Sequence, residues 1–315
     1  MGSLIPADRD QATVEVEGRR VDLTNLRKPF WPALGITKGD LLRYYEELAP
    51  VLLPHLRDRP MVMKRYPHGW NGAFFFMKRT PAGAPEWIRT CRVEHRSGNV
   101  IDFPLIQDLP ALLWVVNLGC IDLNPWYSRC DDVNRPDWLH FDLDPVPGAT
   151  FDTVREVALR VRELLEALGM PVHAKTSGSR GIHVYVPIVR GPVQKQVWTF
   201  AKAFALEVER RWPRIATAVY EVAERPRGRV LVDYNQNRWG ATLASVYSVR
   251  PHPRATVSTP VEWEEIERGI RIEDFTLFDV PARVRERGDL WPPSVGGERF
   301  DLAPLLEAGA RRSGR

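Results

Sequence analysis

Cysteine is scarce in this chain. Three occur in 315 residues, Cys91, Cys120 and Cys130, and none stands in a Cys-x-x-Cys pair. An odd number without paired spacing predicts reduced, mostly buried thiols and argues against a disulfide framework. Cys91 and His95 make half of a zinc site with no second half in view. Long apolar runs are absent too, and residues 1–20 lack the hydrophobic segment of a secretory leader. Pro6 stands where a myristoylation signal needs Ser or Thr. The expected location is cytoplasmic, with no membrane attachment. There is no internal repeat, no GxxxxGK[ST] loop and no GxGxxG string. ATPase and dinucleotide-binding readings therefore lose support.

What is present is ordinary globular composition, 44% hydrophobic and 27% charged, enough for one large domain or two modest ones. The net charge of +4 permits a polyanionic partner without identifying one. Residues 1–22 read as an extension, polar and initially frayed over 1–20, 23–300 as the main domain and 301–315 as a basic tail, mobile from Ala308. Thr37 is placed to cap a helix carrying Leu41, Leu42, Tyr45 and Leu48 on one face. Asp152 is placed to cap a second, with Val154, Val157, Val161, Leu164, Leu165 and Leu168 at helical spacing and Gly169 as its stop. A third is expected over 192–212. Strands are expected over 60–66, 138–143, 182–189, 230–234 and 244–249. Strands alternating with amphipathic helices predict an α/β or α+β architecture.

The most informative segment is Phe141-Asp142-Leu143-Asp144-Pro145. In a strand, Asp142 and Asp144 project from one side while Phe141 and Leu143 face the other, and Pro145 ends the strand. Two carboxylates so close repel unless a cation lies between them, and oxygen ligands suit Mg²⁺ or Mn²⁺. The apolar run Val230-Leu231-Val232 ends in Asp233, the form a third ligand on a neighbouring strand would take. Solvated turn acids, or the DxD metal site of a glycosyltransferase, remain open on these strings alone.

Between the acids lies Lys175-Thr176-Ser177-Gly178-Ser179-Arg180-Gly181-Ile182-His183. A Ser/Gly turn offers backbone N–H groups that can cradle an anion, and Lys175 and Arg180 supply positive charge. In the strand that follows, Ile182, Val184 and Val186 face one way and His183 the other.

In order, FDLDP, SGSRGIHVY, VLVDYNQN and YSVRPHP…VSTP resemble the polymerase domain of bacterial ligase D, of the archaeo-eukaryotic primase superfamily, over roughly Leu23 to Trp263. The resemblance implies an RNA-recognition-motif-like catalytic sheet with a second sheet alongside and flanking helices. It implies template-dependent nucleotide addition to a primer end in non-homologous end joining, with NTP or dNTP substrates, a preference for ribonucleotides, and two Mn²⁺ or Mg²⁺ ions. It also implies DNA with a 5′-phosphorylated gap or broken end as partner, Ku and a DNA ligase as associates, a monomer, and a place at the nucleoid.

By motif, Asp142, Asp144 and Asp233 would hold the metals. Ser177, Arg180, His183 and Arg250 would meet the nucleotide's phosphates, and Lys64, Asn124, Gln236 and Thr242 would complete that pocket. Lys28 and Lys38, with Arg65 nearby, would bind the 5′-phosphate, and Phe75 and Phe76 would stack on the template. Two residues depart from the family's habit: Asn124 replaces a usual His, and Arg180 replaces a common Lys. Asn can hydrogen-bond a sugar or phosphate but carries no charge. De novo priming, DxD glycosyl transfer and non-catalytic end binding are the competing readings.

Overall fold

The computed structural model describes residues 2–95, 97–293 and 296–313, so the last two residues of the expected tail lie outside it. The chain divides into two compact units. One comprises residues 1–126, 243–259 and 273–289, and the other 127–242, 260–272 and 290–315.

The first unit opens with a hairpin of β1 (Ala12–Val16) and β2 (Arg19–Leu23). Glu17 and Gly18 join them, both at positive φ, and such a two-residue turn matches the strands' own twist. Val14, Val16, Val21 and Leu23 point inward, so the segment expected to fray is pinned by its apolar face. Helix α1 (Lys38–Leu56) is capped by Thr37 as expected, and Asp40 returns the bond to the Thr37 N–H. Strands β3 (Met61–Arg65), β4 (Phe75–Met77), β5 (Thr90–Glu94) and β6 (Val100–Pro104) follow. Then come α2 (Leu109–Asn117), capped by Asp108, and β7 (Cys120–Pro125). A three-stranded antiparallel sheet has the order β4-β3-β7. It is the second sheet expected from the sequence.

The apolar run at 244–249 is buried but is not a strand. Tyr247 sits at φ 61, a left-handed conformation costly for a bulky residue. Its N–H donates to Ser258 O, its carbonyl accepts from Tyr44 Oη, and its own hydroxyl donates to Asp289. Those bonds replace a ladder.

The second unit carries β8 (Trp138–Pro145), α3 (Phe151–Glu166), β9 (His173–Thr176), β10 (Ile182–Pro187), α4 (Gln194–Arg211), β11 (Ala216–Thr217), β12 (Val230–Asp233) and β13 (Pro260–Val261). The sheet order is β11-β12-β8-β10-β9-β13. Its central four strands and two helices run β-α-β-β-α-β with every neighbour antiparallel, the arrangement of an RNA-recognition motif. Helices α3 and α4 cover one face, where Phe141 meets Phe204 at 4.7 Å between ring centroids. The opposite face is left for the polar residues. Thr150, not Asp152, caps α3 by accepting from the Thr153 N–H; Asp152 instead pairs with Arg155.

Within the expected tail, Ala303–Ser313 is helical. One further expectation is corrected. Cys91 and Cys130 are disulfide-bonded, and Cys120 is the free, buried thiol. Sequence spacing could not reveal this, because disulfide formation depends on Cβ proximity in the fold.

Candidate active site

In the second unit, β8 sets Asp142 directly opposite Asp233 on one side and His183 on the other, and His183 lies opposite Lys175. Directly paired residues share a sheet face. Lys175, His183, Asp142 and Asp233 thus form one row across four strands, with Asp144 next along β8 on the same face. Lys175 Nζ lies 2.7 Å from His183 Nδ1, and His183 Nε2 lies 3.2 Å from Asp142 Oδ1. An ammonium only donates, so Nδ1 accepts and the ring proton sits on Nε2, facing the carboxylate. Asp233 Oδ1 accepts from the Asn235 N–H at 2.7 Å, and Oδ2 accepts from Gln236 Nε2 at 3.0 Å. Below the row, His140 is fully buried, with its ring 3.8 Å from Tyr127 and 5.3 Å from Tyr185; burial keeps it neutral.

Among the described residues, no three His, Cys, Asp or Glu side chains are gathered into a metal-holding group. Asp142 is turned to His183, and Asp233 to Asn235 and Gln236. The backbone nonetheless suits a hard divalent ion. It sets two carboxylates directly across a strand pair and a third on the same face, where like charges repel without a cation. By donor type and register, the three aspartates fit such an ion.

The Ser/Gly loop is built around Ser177, whose Oγ accepts from the N–H groups of Ser179, Arg180 and Gly181 at 3.1, 3.2 and 2.9 Å. The N–H groups expected to face an anion converge on the Ser177 hydroxyl. Gly178 takes φ 65, which a glycine adopts without strain. At Gly181 the loop passes so close to β8 that a Cβ would stand 2.2 Å from Leu143 O. Arg180 is exposed and Thr242 half-buried.

In the first unit, Lys64 pairs across β3 and β7 with Asp122, and Asn124 lies on the same face two residues on. Asp122 is 2% exposed, with the guanidinium of Arg250 at 3.5 Å. Burial lowers the Lys64 pKa, and the Arg250 charge lowers it further against the opposing pull of Asp122. Lys64 Nζ rests 4.3 Å over the Phe74 ring, and the Arg65 guanidinium 5.1 Å over Phe75. Phe74, Phe75 and Phe76 are 50, 45 and 58% exposed, which rules out a plain core strand. Lys38 is the first residue of α1, its N–H donating to Lys28 O and its ammonium to Thr24 O. Burial pushes its pKa down to about 8, and the charges of Lys28 and Arg65 add to the fall. Three cations thus gather at one helix N-terminus, an arrangement favourable to an anion.

Residues 37–291 match the family described as "LigD, primase-polymerase domain". The chain belongs to that family. This LigD-type domain is therefore a primase-polymerase, a nucleotidyltransferase by class. The match holds every candidate residue named above except Lys28, which precedes it. The domain is 33% identical to the "Multifunctional non-homologous end joining protein LigD" of Mycolicibacterium smegmatis over 87% of this chain and 36% of that protein. A namesake from Pseudomonas aeruginosa is 31% identical over 84% of this chain and 32% of its own length. The chain thus spans about a third of the curated relatives' length. Among solved structures, "Polymerase Domain from Mycobacterium tuberculosis Ligase D in complex with DNA" superposes with a TM-score of 0.81 at 30% identity, covering 91% of this chain and 98% of that one. Both the primase-type fold and the family expected from the sequence are thereby established.

Neighbours of the candidate residues were only partly legible in the sequence: Lys175 was read as a source of charge but not as the partner of His183, while Asp122 beside Arg250 in the first unit and Asn237 beneath the Asp233 turn in the second were not read at all. Lys175 and Asp122 have neighbours in the motifs that could have pointed to them. Asn237 had only its place in the YNQN string.

Proposed function

We propose that this domain fills gaps at broken DNA ends during non-homologous end joining, adding template-selected nucleotides, with a preference for ribonucleotides, to a primer 3′-hydroxyl. The observation that carries this reading is the row of Asp142, Asp233 and His183 on a primase-type sheet, with Asp144 on the same face. Asp142, Asp144 and Asp233 would hold two Mn²⁺ or Mg²⁺ ions, which when bound activate the hydroxyl and neutralise charge on the leaving pyrophosphate. His183 holds Asp142 in place through Nε2 and stands beside the phosphates. Ser177, with the N–H groups gathered about it, and Arg180 receive the triphosphate. Arg250, Lys64, Asn124, Gln236 and Thr242 are read as further nucleotide-binding residues. DNA is gripped by Lys28, Lys38 and Arg65 at its 5′-phosphate and by Phe75 and Phe76 along the template. Among the described residues no helix is long and apolar enough to cross a membrane. Ku and a ligase activity are the proposed associates, at the nucleoid.

The test is extension of a primer across a short gap, with each of the four ribo- and deoxyribonucleotides, in Mn²⁺ and Mg²⁺. Templated addition is expected, faster with a downstream 5′-phosphate and with ribonucleotides. Untemplated addition, or none, would contradict the reading.

Two consequences concern binding. Arg250→Ala is expected to raise the apparent KM for nucleotide ~10–100-fold, the size of one charge-assisted contact, while DNA affinity stays within about twofold. Equal losses in both would place Arg250 on the DNA. The second consequence concerns pH. Lys38 is charged below its pKa of about 8 and neutral above it. A terminal phosphate keeps its second charge throughout pH 7–9. The affinity advantage of 5′-phosphorylated over 5′-hydroxyl gaps should therefore fall by roughly tenfold between pH 7 and 9 and weaken with salt. Lys38→Arg, charged at both values, should flatten that slope. An unchanged advantage across the range would remove Lys38 from the phosphate site.

A further inference from the structure

The pairing of β12 with β8 ends at Asp233 opposite Asp142. Two strand positions further, at the next hydrogen-bonded pair, the partner of His140 would be Asn235, but the chain has already turned: Tyr234 is helical, at φ −86 and ψ −14, and Asn235–Asn237 forms a 3₁₀ turn. The backbone of His140 is nonetheless paired. Its N–H donates to Asn237 Oδ1 at 3.1 Å, and its carbonyl accepts from Asn237 Nδ2 at 2.7 Å. The second Nδ2 hydrogen goes to Tyr234 O at 3.0 Å. Asn237 is 1% exposed. The amide's orientation is fixed by its surroundings, since the one N–H must meet the oxygen and the two carbonyls must meet the nitrogen.

A carboxamide carries a donor and an acceptor in one plane, as a peptide unit does. Here it occupies the place of the missing strand residue and closes the ladder one step beyond the two aspartates. We infer that Asn237 is a positioning residue that holds Asp142 and Asp233 in register by extending the β8–β12 ladder through its side chain. Asp142 lies two residues from the clasped His140 on one strand, and Asp233 immediately precedes the turn that carries Asn237. Loss of the clasp frees both strand ends at the point where the carboxylates must converge. No other side chain of similar size both donates and accepts in this way: Asp lacks the donors, and Leu lacks both.

The inference rests on the proposed role of these aspartates in holding metal, so its test reads metal and backbone separately from extension. Asn237→Ala and Asn237→Ser would be compared with the wild-type domain by Mn²⁺ binding in the presence of nucleotide, followed by electron paramagnetic resonance. Amide exchange at His140 and extension of gapped DNA would be measured alongside. The expected result is His140 exchange at least tenfold faster, Mn²⁺ binding at least tenfold weaker and kcat down at least thirtyfold. DNA affinity should stay within twofold and the fold should remain intact at the assay temperature. Wild-type exchange at His140, or Mn²⁺ binding within twofold of wild type in a folded variant, overturns the inference. So does failure of both variants to fold, which would make Asn237 a general structural residue. Should the wild-type domain bind Mn²⁺ yet extend nothing, the polymerase reading falls, and the exchange and Mn²⁺ results still decide the role of Asn237.

Discussion

Asp142→Ala, Asp144→Ala and Asp233→Ala are each expected to lower gap extension by at least ~10³-fold, the scale of losing a charge-stabilising element of a polymerase site. The same changes should leave the fold as stable as before or slightly more so. Asp142 and Asp233 face each other across a strand pair, where like charges destabilise, and removing one relieves that repulsion. Opposed effects on activity and stability separate a functional carboxylate from a structural one, because a structural ion pair would lose both together. Asp142 is the sharpest case: its loss also takes away the partner of His183. Single-turnover extension and thermal melts on the three variants check the point. A variant retaining more than about a tenth of the wild-type rate would leave the metal site.

A comparable loss is expected from a change that removes no functional group. Gly181→Ala would put a Cβ 2.2 Å from Leu143 O, a backbone atom of the strand that carries both Asp142 and Asp144. No side chain can rotate to relieve that contact, so either the Ser177 loop or β8 must move. Overpacking of this kind costs about 1–3 kcal/mol. The displacement falls between the Ser177 loop, proposed to receive the triphosphate, and the carboxylates, so extension should fall at least ~100-fold even where the protein remains folded. Gly191→Ala is the control: its Cβ would meet nothing within 4 Å, at a backbone conformation open to any residue. That variant should match wild type in both rate and melting temperature. Equal activity of the two glycine variants would mean that the loop and strand do not need their present separation.

Much of this site was legible because its signals are local. Alternation along β8 put Asp142 and Asp144 on one face, and Pro145 marked the strand's end. Thr37 announced its helix through a side chain that satisfies a free N–H three residues on. The pairing of Asp142 with Asp233 could be suspected from two apolar runs ending in acids. The register that sets them directly opposite is a property of strands far apart in the chain. The same limit hid Asp122 beside Arg250 and the clasp of Asn237 on His140, contacts between motifs that carry no trace in spacing.

Elsewhere the sequence misled for identifiable reasons. The run at 244–249 has a strand's composition, but the left-handed backbone of Tyr247 breaks the ladder and its bonds go to Tyr44, Ser258 and Asp289. The amino-terminal hairpin was overlooked because charged residues alternate with its valines. Glu17-Gly18 between two alternating runs was the available signal.

The central claim is templated nucleotide addition by the aspartate row. It is tested most directly by incubating the domain with Mn²⁺, all four ribonucleotides and a one-nucleotide gap bearing a 5′-phosphate, and weighing the product by mass spectrometry. Each of the four template bases is presented in turn. The account predicts a primer longer by one nucleotide, complementary to the template base in every case, and no product from Asp142→Ala. An added nucleotide that ignores the template base, or the same product from Asp142→Ala, would contradict it.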